Sequence, residues 1–221
     1  MFIPLKDLTP HRQYPIVNVI LILTNVGVFL YQLALPPQLF QAFVMANATV
    51  PARFPEFLAG QVSFSGAFLP LLTSMFLHAG VAHIAGNMLF LWIFGDNIED
   101  SFGHAWYLLF YLACGVGSGL LHILFNLNSP LPALGASGAI SGVMGAYFVL
   151  YPRSRILTLV FIFLVPIPAV FILGYWFVLQ FLSGIGSLGA VSTGGVAWWA
   201  HVGGFLLGIL VARSARPRPA Q

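Results

Sequence analysis

The sequence predicts an all-α membrane protein built as a six-span helical bundle with a long, partly membrane-embedded first external loop. Three observations carry this reading. The 221 residues are 59% hydrophobic with only 6% charged and a mean hydropathy of +0.95, against roughly 25% charged residues in a soluble domain. No Lys, Arg, Asp or Glu occurs from Gln13 to Ala52, Phe57 to Gly95, Ser101 to Pro152, or Ile156 to Ala212, and about 20 apolar residues suffice to cross a bilayer. The basic residues also fall almost entirely on one side of a six-span layout.

The spans are placed at Ile16 to Leu35, Val81 to Ile98, Trp106 to Leu127, Ser137 to Leu150, Ile156 to Leu182, and Val196 to Ala212. Each is read as a helix, because hydrocarbon offers backbone groups no partner outside helices and closed barrels. The first span is too long for a cleaved signal peptide and reads as an uncleaved anchor. The loop from Pro36 to Gly80 contains an apolar stretch, Phe68 to Leu77, expected to lie in the interface or dip into the membrane. Span two opens at Val81 and carries His83 and Asn87 one turn apart on one face. The acidic residues Asp96, Glu99 and Asp100 that follow are read as a solvated loop. Span three holds the single cysteine, Cys114, as a packing residue; an intramolecular disulfide is excluded. His104 and His122, near its two ends, are read as interfacial or structural. Span four runs only from Ser137 to Tyr151-Pro152, about 21 Å of helix in a bilayer core about 30 Å thick, so its start lies below the outer surface. Pro166 and Pro168 would weaken span five and suggest that it flexes.

Charge orients the bundle. Lys6, Arg12, Arg153, Arg155, Arg213, Arg216 and Arg218, seven of the eight basic residues, share one side, with Arg53 the exception. The positive-inside bias makes that side cytoplasmic. The expected organisation is a cytoplasmic segment 1–15, a membrane domain 16–212 and a basic cytoplasmic tail 213–221. The basic tail is explained by topology without nucleic acid, and short tails with no transit peptide favour a bacterial inner membrane.

Polar groups inside such spans need partners, since burying an unpaired hydroxyl or imidazole costs roughly 1–7 kcal/mol. Ser137 stands in Gly135-Ala136-Ser137-Gly138 and His201 in Ala200-His201-Val202-Gly203-Gly204. A helix start offers Ser137 unpaired N–H groups and a positive dipole end, which suit an oxyanion. Small residues at Ala200, Gly204, Gly208 and Ala212 repeat every four positions on span six, with Gly138, Gly142 and Gly145 on span four in reply. Such stripes bring membrane helices close, and packing them would bring imidazole and hydroxyl within reach. The pair reads as a nucleophile with an adjacent base. No Asp or Glu in spans four to six could orient the imidazole, so the arrangement is a dyad.

Taken together, these residues resemble the rhomboid family of intramembrane serine proteases. The resemblance rests on six spans, Gly135 to Gly138 opening the fourth, Ala200 to Gly204 with Gly208 in the sixth, and His78, His83 and Asn87 in the order His-x4-His-x3-Asn. It implies Ser137 as nucleophile, His201 as general base and acid, and Asn87, His83 and the Ser137 backbone N–H as oxyanion donors, with His78 anchoring the first loop. It further implies a serine endopeptidase that needs no cofactor or metal and cuts the transmembrane helices of single-span membrane proteins. Two positions depart from patterns found in some members. Ser141 stands where an aromatic can support the imidazole, and Arg53-Phe54 stands where a Trp-Arg pair can occur. Two rival classes are a catalytically inactive relative that binds transmembrane helices, disfavoured by the presence of both Ser137 and His201, and a metal or haem protein using His78, His83, His122 and His201, disfavoured by the lack of an accompanying His-Glu-x-x-His or thiolate set.

Overall fold

The computed structural model describes residues 2–187 and 196–214. Most of the basic tail, including Arg216 and Arg218, lies outside the described residues. The chain begins with strand β1 (Phe2–Asp7) and helix α1 (Ile16–Ala34). The loop expected from Pro36 to Gly80 is mostly short helices: α2 (Pro37–Asn47), α3 (Arg53–Leu58), α4 (Phe64–Phe68) and α5 (Pro70–Thr73), followed by a 3₁₀ turn at Ser74–Phe76. Pro37 and Pro70 sit in the first turns of α2 and α5, where a missing N–H costs nothing. Helices α6 (Val81–Phe102) and α7 (His104–Phe125) follow. Gly103 alone joins them at φ +78, a left-handed conformation that glycine adopts without steric cost.

Helix α8 (Ser137–Leu150) starts and stops where the sequence places it, with Pro152 unable to continue it. Strands β2 (Arg155–Val160) and β3 (Phe163–Pro168) come next, then α9 (Ala169–Ser187) and α10 (Trp198–Ser214). The fifth expected span therefore needs correction. Nearly half of it, through Pro168, is an antiparallel hairpin, β2 paired with β3 and β1 added along β2. Ile156, Thr158, Val160, Val165 and Ile167 are β-branched residues that favour strands, and Pro166 and Pro168 lie in β3 rather than inside a helix. The hairpin tip is as apolar as a span, with Phe161, Ile162, Phe163 and Leu164 all exposed, so hydropathy alone merges it with α9.

Helix α8 is the centre of the bundle. Its residues from Gly138 to Tyr147 are all buried, and it packs most extensively on α10, then α7, then α6. Small residues permit this. A Cβ added to Gly204 or Gly208 would strike the backbone carbonyl of Gly138 or Gly142, and one added to Gly145 would strike that of Phe205. The two helices meet backbone to backbone, as in other membrane-helix contacts built on small residues. One detail differs from the expected seam: a Cβ on Gly138 would meet Ser118 of α7 and one on Gly142 would meet Cys114 of α7. Those two glycines thus admit α7 while their carbonyls receive α10.

Asp96, Glu99 and Asp100 also need correction. They belong to the last turns of α6, and Glu99 is 1% exposed. Its carboxylate accepts the backbone N–H of Val17 (2.9 Å) and of Asn18 (2.7 Å) and meets His104 Nδ1. It thereby caps α1, whose own N-cap residue, Pro15, makes no side-chain cap bond. A negative charge at a helix N-terminus is favoured by the dipole and by the orphan N–H groups there. Asn18, fully buried, extends the join by donating to the Leu91 carbonyl (3.1 Å) and accepting from Tyr107 (2.8 Å).

By length and composition, α1, α7 and α9 can each cross a membrane. A fourth span results if α6 is counted together with the segment Phe64–Phe76, which meets it at 79°.

Candidate active site

Ser137 is the first residue of α8, and Ala136 before it makes no side-chain cap. The first N–H groups of this helix therefore have no intrahelical acceptor. The turn into the helix needs glycine at 135 for two reasons. Gly135 has φ +124, and a Cβ there would lie 2.8 Å from the His83 ring. The Gly135 N–H donates to the Ser74 carbonyl (2.9 Å), which fixes the approach of the chain.

His201 projects from the first turn of α10 and is 8% exposed. Its Nε2 lies 2.7 Å from the Ser137 hydroxyl. Its Nδ1 lies 2.7 Å from Gln180 Oε1 of α9. Trp176, one turn before Gln180, places its ring 5.8 Å from the imidazole at 37°. Ser141, four residues after Ser137, turns its hydroxyl to the Ser137 carbonyl (2.6 Å) and plays no part in supporting the ring.

His83 and Asn87 line, with Ser137 and His201, a single cavity of about 750 Å³ whose remaining wall includes Phe90, Ile140, Met144 and Trp176. Asn87 is buried, and its Nδ2 lies 2.9 Å from His78 Nε2. An amide nitrogen carries two N–H donors, so one remains beyond that contact. His78 is held by α1: its backbone N–H donates to Gln32 Oε1 (3.0 Å) and its carbonyl accepts from Gln32 Nε2 (3.2 Å). His83 Nδ1 faces the Ala79 N–H at 3.4 Å. The cavity thus gathers four residues that span more than a hundred positions of sequence, from α6, α8 and α10.

Two features escape a reading of the sequence. Gln180 is the lone amide side chain of α9, and asking what accepts the second imidazole nitrogen of His201 would have singled it out. His122 also has company: with Thr49, Ser74 and Ser118 it lines a recess of about 40 Å³ behind Ser137. His104 pairs with Glu99, far from the cavity residues along α6. Among the described residues, no group of three or more His, Cys, Asp or Glu is placed to hold a metal ion.

An apolar helical bundle that gathers a serine, two histidines and an asparagine around one cavity is an integral membrane protein with a polar centre. The family follows from comparison: the Rhomboid domain family model matches residues 65–218, and the chain belongs to the rhomboid family, one of intramembrane serine proteases. Over 205 residues it is 30% identical to RHOMBOID-like protein 12, mitochondrial, of Arabidopsis thaliana, which covers 80% of this chain and 56% of that protein. Rhomboid protein 1, mitochondrial, of Saccharomyces cerevisiae is 29% identical over 162 residues, 70% of this chain and 44% of that one. Rhomboid protease GluP of Bacillus subtilis is 44% identical over 81 residues, 37% of this chain and 15% of that protein. The chain thus spans 15% to 56% of the length of these relatives. With mitochondrial proteins among them, they do not support the expected bacterial inner membrane.

Proposed function

We propose that this protein is an intramembrane serine endopeptidase that hydrolyses a peptide bond in or near the transmembrane helix of single-span membrane proteins through a Ser137–His201 dyad. The observation that carries the reading is the 2.7 Å contact between Ser137 Oγ and His201 Nε2, two residues 64 positions apart. Helices α1 and α6 to α10 serve as the six spans, residues 1–15 and 213–221 flank this domain, and the basic residues orient both flanks to the cytoplasm.

In this mechanism, Ser137 Oγ attacks the scissile carbonyl as its proton passes to His201 Nε2. The resulting oxyanion is met by the Ser137 backbone N–H, by the free N–H of Asn87 and by His83, donors whose value lies in being aimed at charge that appears only in the transition state. His201 then returns the proton to the leaving amine as the C–N bond breaks. Water, deprotonated by the same nitrogen, attacks the acyl-enzyme and releases Ser137. No step calls for a metal or cofactor. The apolar walls around the dyad, Phe90, Ile140, Met144 and Trp176, suit an unwound segment of a membrane helix.

Cleavage of a reconstituted single-span substrate tests the proposal. Ser137→Ala and His201→Ala should each abolish turnover and fluorophosphonate labelling, and the double variant should be no worse than either, since members of one catalytic unit are not additive. Turnover retained by purified Ser137→Ala would refute the proposal.

A further inference from the structure

We infer that Gln180 and Trp176 of α9 are positioning residues for His201, and that Gln180 completes a neutral Ser137–His201–Gln180 relay in place of a carboxylate triad. This rests on the reading of Ser137 and His201 as the dyad. Gln180 Oε1 can only accept, so the 2.7 Å contact with Nδ1 places the imidazole proton there. In that tautomer Nε2 keeps its lone pair, which points at the Ser137 hydroxyl 2.7 Å away. With the amide reversed, Gln180 would donate to Nδ1, the ring proton would sit on Nε2, and His201 could not take a proton from serine. Which nitrogen works is thus decided by the partner of the other.

The second support is the ring of Trp176. Trp176 and Gln180 are four residues apart and so share one face of α9, where the Trp176 ring lies beside the imidazole, tilted 37° to it, and Gln180 holds its Nδ1 edge. Ser141 gives the ring no such support, because its hydroxyl is committed to the Ser137 carbonyl. Gln180 is itself 8% exposed, and a buried amide aimed at a single imidazole nitrogen has few other reasons to be there.

The setting makes a neutral acceptor legible in a pH profile. The titratable groups acting on His201 are His83 of α6 and His122 of α7. Helix α8 presents Ser137, α9 presents Trp176 and Gln180, and Trp198 lies beside the imidazole on α10. No Asp, Glu, Lys or Arg occurs between Ile156 and Ala212. A carboxylate introduced at 180 would be the first anion against this ring. It would favour the imidazolium and raise the pH below which the base is lost.

The test uses the full chain in proteoliposomes, with kcat and KM on a single-span substrate measured across pH. Gln180→Leu should lower kcat on the order of tenfold, the value of one hydrogen bond, with little change in KM, and should move the acid limb of kcat/KM to lower pH. Gln180→Glu should keep more of kcat and move that limb to higher pH. Parent kcat and an unmoved limb in Gln180→Leu would overturn the inference. So would a reduced kcat in Gln180→Leu combined with an unmoved limb in Gln180→Glu, which is the result of a packing role alone. Should Gln180→Leu fail to fold, the acid limb of Gln180→Glu decides. Activity surviving in Ser137→Ala would remove the dyad itself, a different failure from these.

Discussion

A single methyl group on Gly204 should separate the dyad. The Cβ of Gly204→Ala would strike the backbone carbonyl oxygen of Gly138 and sit 3.2 Å from Ser141 Cβ. A peptide oxygen has no rotamer to escape into, so α10 must recede from α8 by at least about 1 Å before the carbon–oxygen contact reaches ~3.3 Å. Gly138 directly follows Ser137, and Gly204 lies one turn after His201 on the same helix, so the displacement acts where the hydroxyl meets the imidazole. A 2.7 Å contact stretched by that amount is no longer a hydrogen bond. Misplacement of about 1 Å can cost 10²-fold in rate, whereas overpacking costs about 1–3 kcal/mol of stability, which leaves a folded protein. The expected outcome is therefore a folded Gly204→Ala with kcat/KM and fluorophosphonate labelling of Ser137 both reduced on the order of 10²-fold. Gly27→Ala serves as the control, because a Cβ there meets nothing within 4 Å, and it should match the parent. Parent labelling and turnover in Gly204→Ala would show that the backbone contact of α8 with α10 does not set the dyad geometry.

Two further perturbations probe other parts of the molecule. Asn87→Ala should lower kcat by about 10- to 10³-fold while leaving KM close to the parent, as expected for loss of one oxyanion donor; a raised KM with kcat unchanged would make Asn87 a binding or structural group instead. Glu99→Gln offers the α1 amides one acceptor oxygen where two are used, and an N–H left unpaired costs about 1–3 kcal/mol. Thermal unfolding in detergent should fall accordingly, with turnover preserved below the transition, and an unchanged transition would show that Glu99 does not hold α1.

Where the sequence was transparent, a local signal sufficed. The limits of α8 are legible because Gly135 and Pro152 bracket a charge-free run too short for an ordinary span, and the pairing of Ser137 with His201 follows from two stripes of small residues. The hairpin between Arg155 and Pro168 was hidden because hydropathy reports transfer to an apolar phase and is blind to whether the chain is coiled or extended. The β-branched residues and the two prolines carried that information, and a window averaged over span five suppressed it. The role of Glu99 is not legible because its partners are backbone amides 81 and 82 residues away, and backbone donors leave no mark in a sequence. Gln180 escapes for the opposite reason: its side chain is conspicuous in α9, but the requirement it meets belongs to a nitrogen on another helix.

The capping of α1 by Glu99 bears on how the protein is made. A chain threaded into a bilayer from its beginning delivers α1 long before α6, and in that interval the leading amides of α1 have only water or headgroups to satisfy them. Residues near Val17 must then stay at the membrane surface, because drawing them deeper would strand bare N–H groups in hydrocarbon. Arrival of α6 brings a carboxylate that is equally uncomfortable alone. Each helix end thus carries a defect that the other repairs, and their meeting sets the depth of one against the other.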